Sequence, residues 1–339
     1  MTNDFHCQLP LPLKPGDLLR VVTPSGPLRE LEPFQKGVEI WRSRGYKVQL
    51  PINWDAKDGY LAGTDSQRRQ QLAQAWQDPE CRGILCARGG YGSARLLEDW
   101  SWFPQAQGHQ STVTLEQGGF GSRGKSIGFN GSKPVYPASS IKWLIGFSDI
   151  TGLLWSLCKL GISSVHGPVL TTVATEPEWS IKRLFDCVEG HSLKPLIGKG
   201  WGKGKASGML LPANLSVATH LLGTPVQPRL KKVILAFEDV SEAPYRLDRM
   251  LTQWRMSGAF QGVQGIALGR FSSCNPPQNV SSWSAAEVFL DRLGDLNIPI
   301  ISELPFGHEG VNAALPVGQM VELDSNRGIL SWMPEDKSS

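Results

Sequence analysis

The sequence predicts an α/β protein of about two domains, the first built on a parallel sheet flanked by helices. Three observations carry this. The first half alternates short apolar runs with stretches of helical periodicity, the signature of strand–helix–strand units. The chain has 339 residues, which at roughly 150 residues per domain is about two domains. Hydrophobic residues are 40% and charged residues 19%, enough apolar material for packed cores and too little charge for a disordered chain.

The elements follow in order. Leu18-Leu19-Arg20-Val21-Val22 reads as a buried strand, ended by the turn residues Thr23-Pro24-Ser25-Gly26-Pro27. Glu30 to Arg44 carries Leu31, Phe34, Val38 and Trp41 at helical spacing. Tyr46 to Leu50 alternates as a strand, and Asp65 to Trp76 reads as a helix capped by Thr64 or Asp65. Gly83 to Ala87 is a strand that runs into the glycine-rich Arg88-Gly89-Gly90-Tyr91-Gly92-Ser93, and Ser93 to Leu97 starts a short helix. Pro104 to Ser140 breaks the pattern: its 37 residues hold seven Gly, six Ser and three Pro. It is expected to be a surface insertion (about 104–140) or a lid over a nearby site. The sheet resumes at Trp143 to Phe147, and Asp149-Ile150-Thr151 opens a helix with Leu153, Leu154, Leu157 and Leu160 on one face. Glu176 to Val188 is again helical.

Gly, Lys and Pro then dominate, which places a linker at 191–207 between a first domain, 1–190, and a second, 208–339. The second half begins with Met209-Leu210-Leu211 and a helix over Leu215 to Leu222. Strands are expected at Val233 to Phe237 and Gly265 to Gly269, and helices at Leu247 to Ser257 and Ala285 to Leu293.

Composition excludes several classes. A formal charge of +3 predicts no general nucleic-acid affinity, although His191 to Lys232 holds seven Lys and Arg and no acidic residue. No apolar run is long enough to cross a membrane, and Met1 to Gln8 has neither a basic nor an apolar leader region, so a cytoplasmic protein is expected. The cysteines, Cys7, Cys81, Cys86, Cys158, Cys187 and Cys274, form no C-x-x-C pair. They are read as small buried hydrophobes, with no metal site and no disulfide framework.

Gly146-Phe147-Ser148-Asp149 lies between a buried strand and a helix, where a turn exposes the Ser148 hydroxyl beside helix N–H groups able to meet an oxyanion. It departs from the hydrolase turn G-x-S-x-G, because Ile150 stands at the second glycine; the alternative is that Ser148 merely caps the helix. A serine nucleophile needs a base. Of the six histidines, His166 and His308 follow expected strands, where active-site loops gather. Glu238 ends an apolar strand and needs a partner, either an orienting histidine or an arginine such as Arg246 or Arg249. The Arg88–Ser93 loop fits neither G-x-G-x-x-G nor a P-loop, so a nucleotide role is weakly supported; its glycines allow close backbone approach to a bound group.

Taken in order, these segments resemble the LD-carboxypeptidase (muramoyltetrapeptide carboxypeptidase) family of serine peptidases. The carrying motifs are Leu13-Lys14-Pro15-Gly16-Asp17, Thr23-Pro24-Ser25-Gly26, Gly59-Tyr60-Leu61-Ala62-Gly63-Thr64-Asp65 and Ala87 to Ser93. They continue with Ile145 to Thr151, His166-Gly167-Pro168, Asn214-Leu215, Glu238-Asp239-Val240, Pro244 to Arg249, Gly307-His308 and Leu315-Pro316-Val317-Gly318. The resemblance implies a Rossmann-like N-terminal domain with a parallel sheet, binding no nucleotide, plus a smaller α/β C-terminal domain. It implies a triad of Ser148, Glu238 and His308, and an oxyanion hole from the backbone amides of Asp149 and of Gly89 or Gly90. His166 matches a position read as structural. No cofactor is implied. The implied substrate is a murein peptide, from which terminal D-alanine is released, and a homodimer is an assembly the resemblance allows. Two departures stand out: the long 104–140 segment, and Ala213 where a glycine is usual before Asn214. The competing readings are a microcin-immunity type peptidase acting on aminoacyl- or peptidyl-nucleotide conjugates, with the same triad, and a non-catalytic binding protein on the same fold.

Overall fold

Strand–helix alternation builds one sheet in each half of the chain, and one strand of the second half returns to the first sheet. The computed structural model describes residues 6–98, 100–103, 136–201, 204–277, 279 and 281–333. Most of the expected insertion, 104–135, lies outside the described residues; Phe103 and Tyr136, which flank that part, stack with ring centroids 4.3 Å apart.

In the first sheet, β1 (Leu18–Val22) pairs in parallel with β2 (Lys47–Gln49) on one side and β3 (Cys81–Cys86) on the other. β4 (Trp143–Gly146) and β5 (Ser164–His166) extend it in parallel. Helices cover both faces, so the central strands β3 and β4 are almost wholly buried. α1 (Leu31–Ser43) buries Phe34, Gly37, Val38 and Trp41, a face that holds three of the four positions its spacing picks out; Leu31, in the first turn, is exposed instead. α2 (Asp65–Gln77) starts at a capping box, with Thr64 accepting from the Gln67 amide and the Gln67 side chain accepting from Thr64. α3 (Thr151–Lys159), α4 (Leu170–Val173) and α5 (Glu178–Val188) follow.

The stretch expected as a linker, 191–207, carries structure of its own. β6 (Leu196–Ile197) and β7 (Lys199–Gly200) form the two edges of the second sheet, and β8 (Lys205–Asn214) begins within it. Two-residue edge strands leave no periodicity to read. β8 alternates with α6 (Leu215–Leu221), β9 (Val233–Val240), α7 (Pro244–Met256), β10 (Gly265–Ser272), α8 (Ala285–Leu293) and β11 (Ile300–Ser302). β8 through β11 are parallel neighbours. The last strands are β12 (Leu315–Val317), β13 (Met320–Asp324) and β14 (Ile329–Trp332). β13 and β14 join the second sheet, whose order is β6-β14-β13-β8-β9-β10-β11-β7. β12 instead pairs antiparallel with β5 at the edge of the first sheet. Pro316 is tolerated there because an edge strand has a side that needs no N–H donor.

A continuous apolar cluster joins the halves: Leu144, Leu153, Leu154 and Trp155 from the first pack with Leu211, Leu235, Phe237 and Trp254 from the second. The Trp155 indole donates to the Pro212 carbonyl at 3.0 Å. Among the described residues, no helix is long and apolar enough to cross a membrane.

The packing of α1 on α4 allows no side chain at Gly37, where a Cβ would lie 1.9 Å from the Leu170 carbonyl oxygen. Gly37→Ala is therefore expected to destabilise the protein by about 1–3 kcal/mol through overpacking. The fall in thermal midpoint against wild type measures it, and an unchanged midpoint would contradict this packing.

Candidate active site

β1, β3 and β4 end on the same side of the first sheet, and the order β2-β1-β3-β4-β5 reverses direction around β1. In open α/β sheets the crevice beyond the carboxyl ends at such a reversal is where ligands bind. The three loops that follow these strands meet there. The Gly26 amide, after β1, donates to the Gly89 carbonyl, after β3, at 3.2 Å. A Cβ on Gly89 would stand 3.2 and 3.3 Å from the Cβ and Oγ of Ser148, after β4. Gly89 is thus the residue that lets backbone lie against the serine. Gly90 holds φ +115°, a conformation suited to glycine. The amides of Gly89 and Gly90 make no hydrogen bond to another described residue.

Ser148 opens a one-turn 3₁₀ segment, Ser148–Ile150, that runs into α3. Its φ is +62°, a left-handed conformation that costs a non-glycine residue about 1–3 kcal/mol. Neither the turn nor α3 has a side-chain cap, so the serine hydroxyl is not used to cap the helix. The departure at Ile150 has a local reason. Its side chain lies over Gly146, where an added Cβ would come within 2.9 Å of it.

The turn is held by its neighbour. Asp149 is buried, and its Oδ2 accepts from the Ser25 hydroxyl at 2.6 Å and the Ser93 amide at 2.7 Å. The Ser93 hydroxyl donates to the Asp149 carbonyl. One carboxylate therefore fastens the loops after β1, β3 and β4 together.

The second half brings Glu238 and His308. Glu238 lies on β9 and is fully buried. His308 lies on the connection from β11, in the second sheet, to β12, in the first. Its carbonyl accepts from the Ser272 hydroxyl, and Gly307, at φ +118°, donates its amide to Asn312 Oδ1 at 3.0 Å. A Cβ on Gly307 would sit 2.9 Å from that of Glu238, so glycine is what lets the loop close on the carboxylate. His308 Nδ1 is 2.6 Å from Glu238 Oε2. Its ring lies 4.7 Å from that of Phe147, the residue before Ser148.

Glu238 Oε1 accepts from Asn214 Nδ2 at 3.3 Å and lies 3.9 Å from His166 Nε2. Burial works to raise the Glu238 carboxyl, but the two histidines beside it outweigh burial and hold it at about 2. Burial works to lower His308, and the bond to Glu238 overcomes it, with Asp239 and Glu309 adding, so its pKa is raised. Asp239 is pushed up to about 6 by burial and by the adjacent Glu238 charge. Asn214 and Ser216 donate to Asp239.

The structure thus gathers the residues singled out in the sequence: Gly89 against Ser148, and His308 on Glu238. Arg246 pairs with Glu242 at 3.6 Å instead of with Glu238. Sequence reasoning missed the supports. Asn214 bonds both acidic residues of β9, and its amide donates to Thr151 Oγ1 at 3.0 Å, tying β8 to the helix after Ser148. The available signal for Ser25 and Ser93 was a small polar residue in the turn or glycine-rich loop that follows a buried strand. A cavity of ≈ 620 Å³ borders the His308 loop, with Lys199, Arg270, Ser272 and Glu303 in its wall.

Comparison with known proteins settles the family. Residues 19–114 match the profile of the LD-carboxypeptidase N-terminal domain, and residues 207–323 that of the LD-carboxypeptidase C-terminal domain. This chain belongs to the LD-carboxypeptidase family. A Synechocystis sp. protein provisionally named a carboxypeptidase is 55% identical, over 96% of this chain and 97% of its own. The murein tetrapeptide carboxypeptidase of Pseudomonas aeruginosa is 30% identical, over 89% of this chain and 90% of its own. The solved structure of the microcin C7 self immunity protein MccF, in complex with aspartyl sulfamoyl adenosine, shares the fold at TM-score 0.79 and 20% identity, covering 97% of this chain and 99% of that one.

Removing the Asp149 carboxylate strips the acceptor from two buried donors, at about 1–3 kcal/mol for each one left unsatisfied. Asp149→Ala is expected to lower the denaturant midpoint accordingly, and to weaken labelling of Ser148 by a fluorophosphonate as the turn relaxes. Labelling at the wild-type rate would show that the turn keeps its shape without the carboxylate.

Proposed function

We propose that this chain is a serine LD-carboxypeptidase that releases terminal D-alanine from murein tetrapeptides, as a step of peptidoglycan recycling in the cytoplasm. The observation that carries the reading is the short His308–Glu238 bond, with the His308 ring against Phe147, the residue before a partly buried Ser148 held at φ +62°. Ser148 Oγ attacks the carbonyl of the L-centre while His308 Nε2 takes its proton. Glu238 accepts from Nδ1–H, fixes the tautomer and stabilises the imidazolium. The amides of Asp149 and of Gly89 or Gly90 meet the oxyanion, each worth about 2.7–4 kcal/mol in comparable sites. His308 then returns the proton to the departing D-alanine amine, and water, activated by the same base, releases the acyl group. Each proton and charge in this sequence has a protein group to receive it, so turnover is expected to survive EDTA.

The 30% identity to a murein tetrapeptide carboxypeptidase supports this substrate over a nucleotide conjugate, since MccF at 20% shares the fold alone. Arg270, which lies against Gly310 of the His308 loop, offers a cation to a carboxylate of a murein peptide. Mass spectrometry of a muropeptide digest tests the reading. Loss of D-alanine from tetrapeptides is expected, and cleavage of aminoacyl-sulfamoyl adenosine with tetrapeptides untouched would overturn it.

Ser148→Ala and His308→Ala should each remove nearly all turnover, and the double variant should lose little more, because residues acting as one unit are not additive. Glu238→Gln keeps the shape but favours the wrong tautomer, at a cost of about 10⁴-fold in kcat by analogy with other triads. D-alanine release checks all of these, with circular dichroism to confirm folding.

The base must be neutral to act, and its pKa is raised. kcat/KM should therefore climb with pH through a midpoint above the ordinary histidine value of about 6.5. Titrating His308 by NMR in Glu238→Gln should show that midpoint moved down, since the favourable carboxylate is gone. A midpoint that stays in place would separate His308 from Glu238.

A further inference from the structure

His166 is a buried titratable group beside the Glu238 carboxylate that the triad leaves unused. It ends β5, is fully buried, and its backbone is fixed by pairing with Gly146 on one side and Leu315 on the other. Its ring meets Phe147 and Phe306 edge-on, with centroids 6.0 and 6.4 Å away. Neither ring nitrogen has a hydrogen-bond partner among the described residues. A neutral imidazole carries one N–H and one acceptor nitrogen, and buried donors are nearly always matched. The carboxylate within reach is Glu238, whose Oε1 is 3.9 Å from Nε2. Around this pair stand Asn214, on Oε1 of Glu238, and His308, on Oε2; Asp239 and Glu309 act on His308 from β9 and from its own loop.

We infer that His166 is a positioning residue for the reaction: with a proton on Nε2, it faces Glu238 Oε1 and holds the carboxylate so that Oε2 stays on His308 Nδ1. This rests on the triad reading above. The carboxylate stands between two imidazoles on opposite oxygens. Movement of about an ångström closes the remaining gap to the 2.7–2.9 Å of a charge-assisted bond. When Ser148 passes its proton to His308, Glu238 must neither rotate nor take that proton. A donor on Oε1 opposes both, and no proton passes through His166. Asn214 alone, at 3.3 Å and shared with Asp239, leaves Oε1 weakly held.

The test compares kcat and KM for tetrapeptide in wild type, His166→Phe, His166→Gln, Glu238→Gln and the His166→Phe/Glu238→Gln double variant. By analogy with partners that orient metal-binding histidines, His166→Phe should lower kcat about 10–100-fold and leave KM in place. His166→Gln, which keeps an N–H donor, should recover part of the loss. In the Glu238→Gln background the same substitution should cost nothing further, because its effect passes through the carboxylate. An equal cost in both backgrounds, or an effect on KM alone, overturns the inference. Full turnover by Glu238→Gln would instead sink the triad reading itself. Should His166→Phe fail to fold, ¹⁵N NMR of histidine-labelled wild type decides: protonation on Nε2 is expected, and a proton on Nδ1 would refute the proposal.

Discussion

Glu238 is a carboxylate with no access to water, and a buried carboxylate stays ionised only if donors reach it. That requirement organises the rest of the molecule. His308 supplies one donor at 2.6 Å and Asn214 another at 3.3 Å, and Gly307 lacks a side chain so that the loop can close on Glu238. The pairing works in both directions: the histidine holds the carboxylate ionised, and the carboxylate raises the basicity of the histidine. Neither shift would arise at the surface, where solvent screens such a pair.

The chain reaches this pairing by crossing between sheets. His308 lies between β11 and β12, strands of different sheets, so its loop is anchored in both halves. Asn214, at the end of β8, holds the carboxylates on one side and Thr151 on the other. Serine from one half and histidine from the other keep their spacing because Trp155 and Trp254 sit in one apolar cluster spanning both sheets. A split site on two loosely linked domains would lose alignment with each relative motion, and misplacement by an ångström is costly in catalysis.

Much of this was legible in the sequence. The strands β1, β3, β4 and β9 are mainly apolar, broken by Arg20 in β1, Arg82 in β3 and Glu238-Asp239 in β9, and α8 and α1 show most of their buried faces as spacing. Thr64 announced its cap. What escaped reading lacked a local signal. β6 and β7 are two residues long, and β12 contains a proline; only pairing with distant segments makes them strands. The reading of 191–207 as a linker failed for that reason: Lys and Gly there occupy sheet edges. His166 shows the same limit from the other direction. Its motif was visible, but not its place beside Glu238, 72 positions further along the chain, because that proximity is created by the meeting of two sheets.

The glycine-rich and serine-containing loops of the first half look like ligand loops, and their hydrogen bonds assign them a prior task. Ser148 sits in a backbone conformation that isolated peptides avoid, and such strain persists only where surrounding structure over-determines it. Ser25 and Ser93 provide that by fastening Asp149, while Arg68 donates to the carbonyls of Pro24 and Gly92 and so braces two of the same loops. Each brace spends a polar group that would otherwise face solvent, and each is buried, where its hydrogen bond has no competition from water. The turn is therefore set before any ligand arrives: the partly buried Ser148 is one end of a network whose other members are hidden, and preorganisation of this kind is what lets fixed dipoles act on a developing charge without first having to reorient.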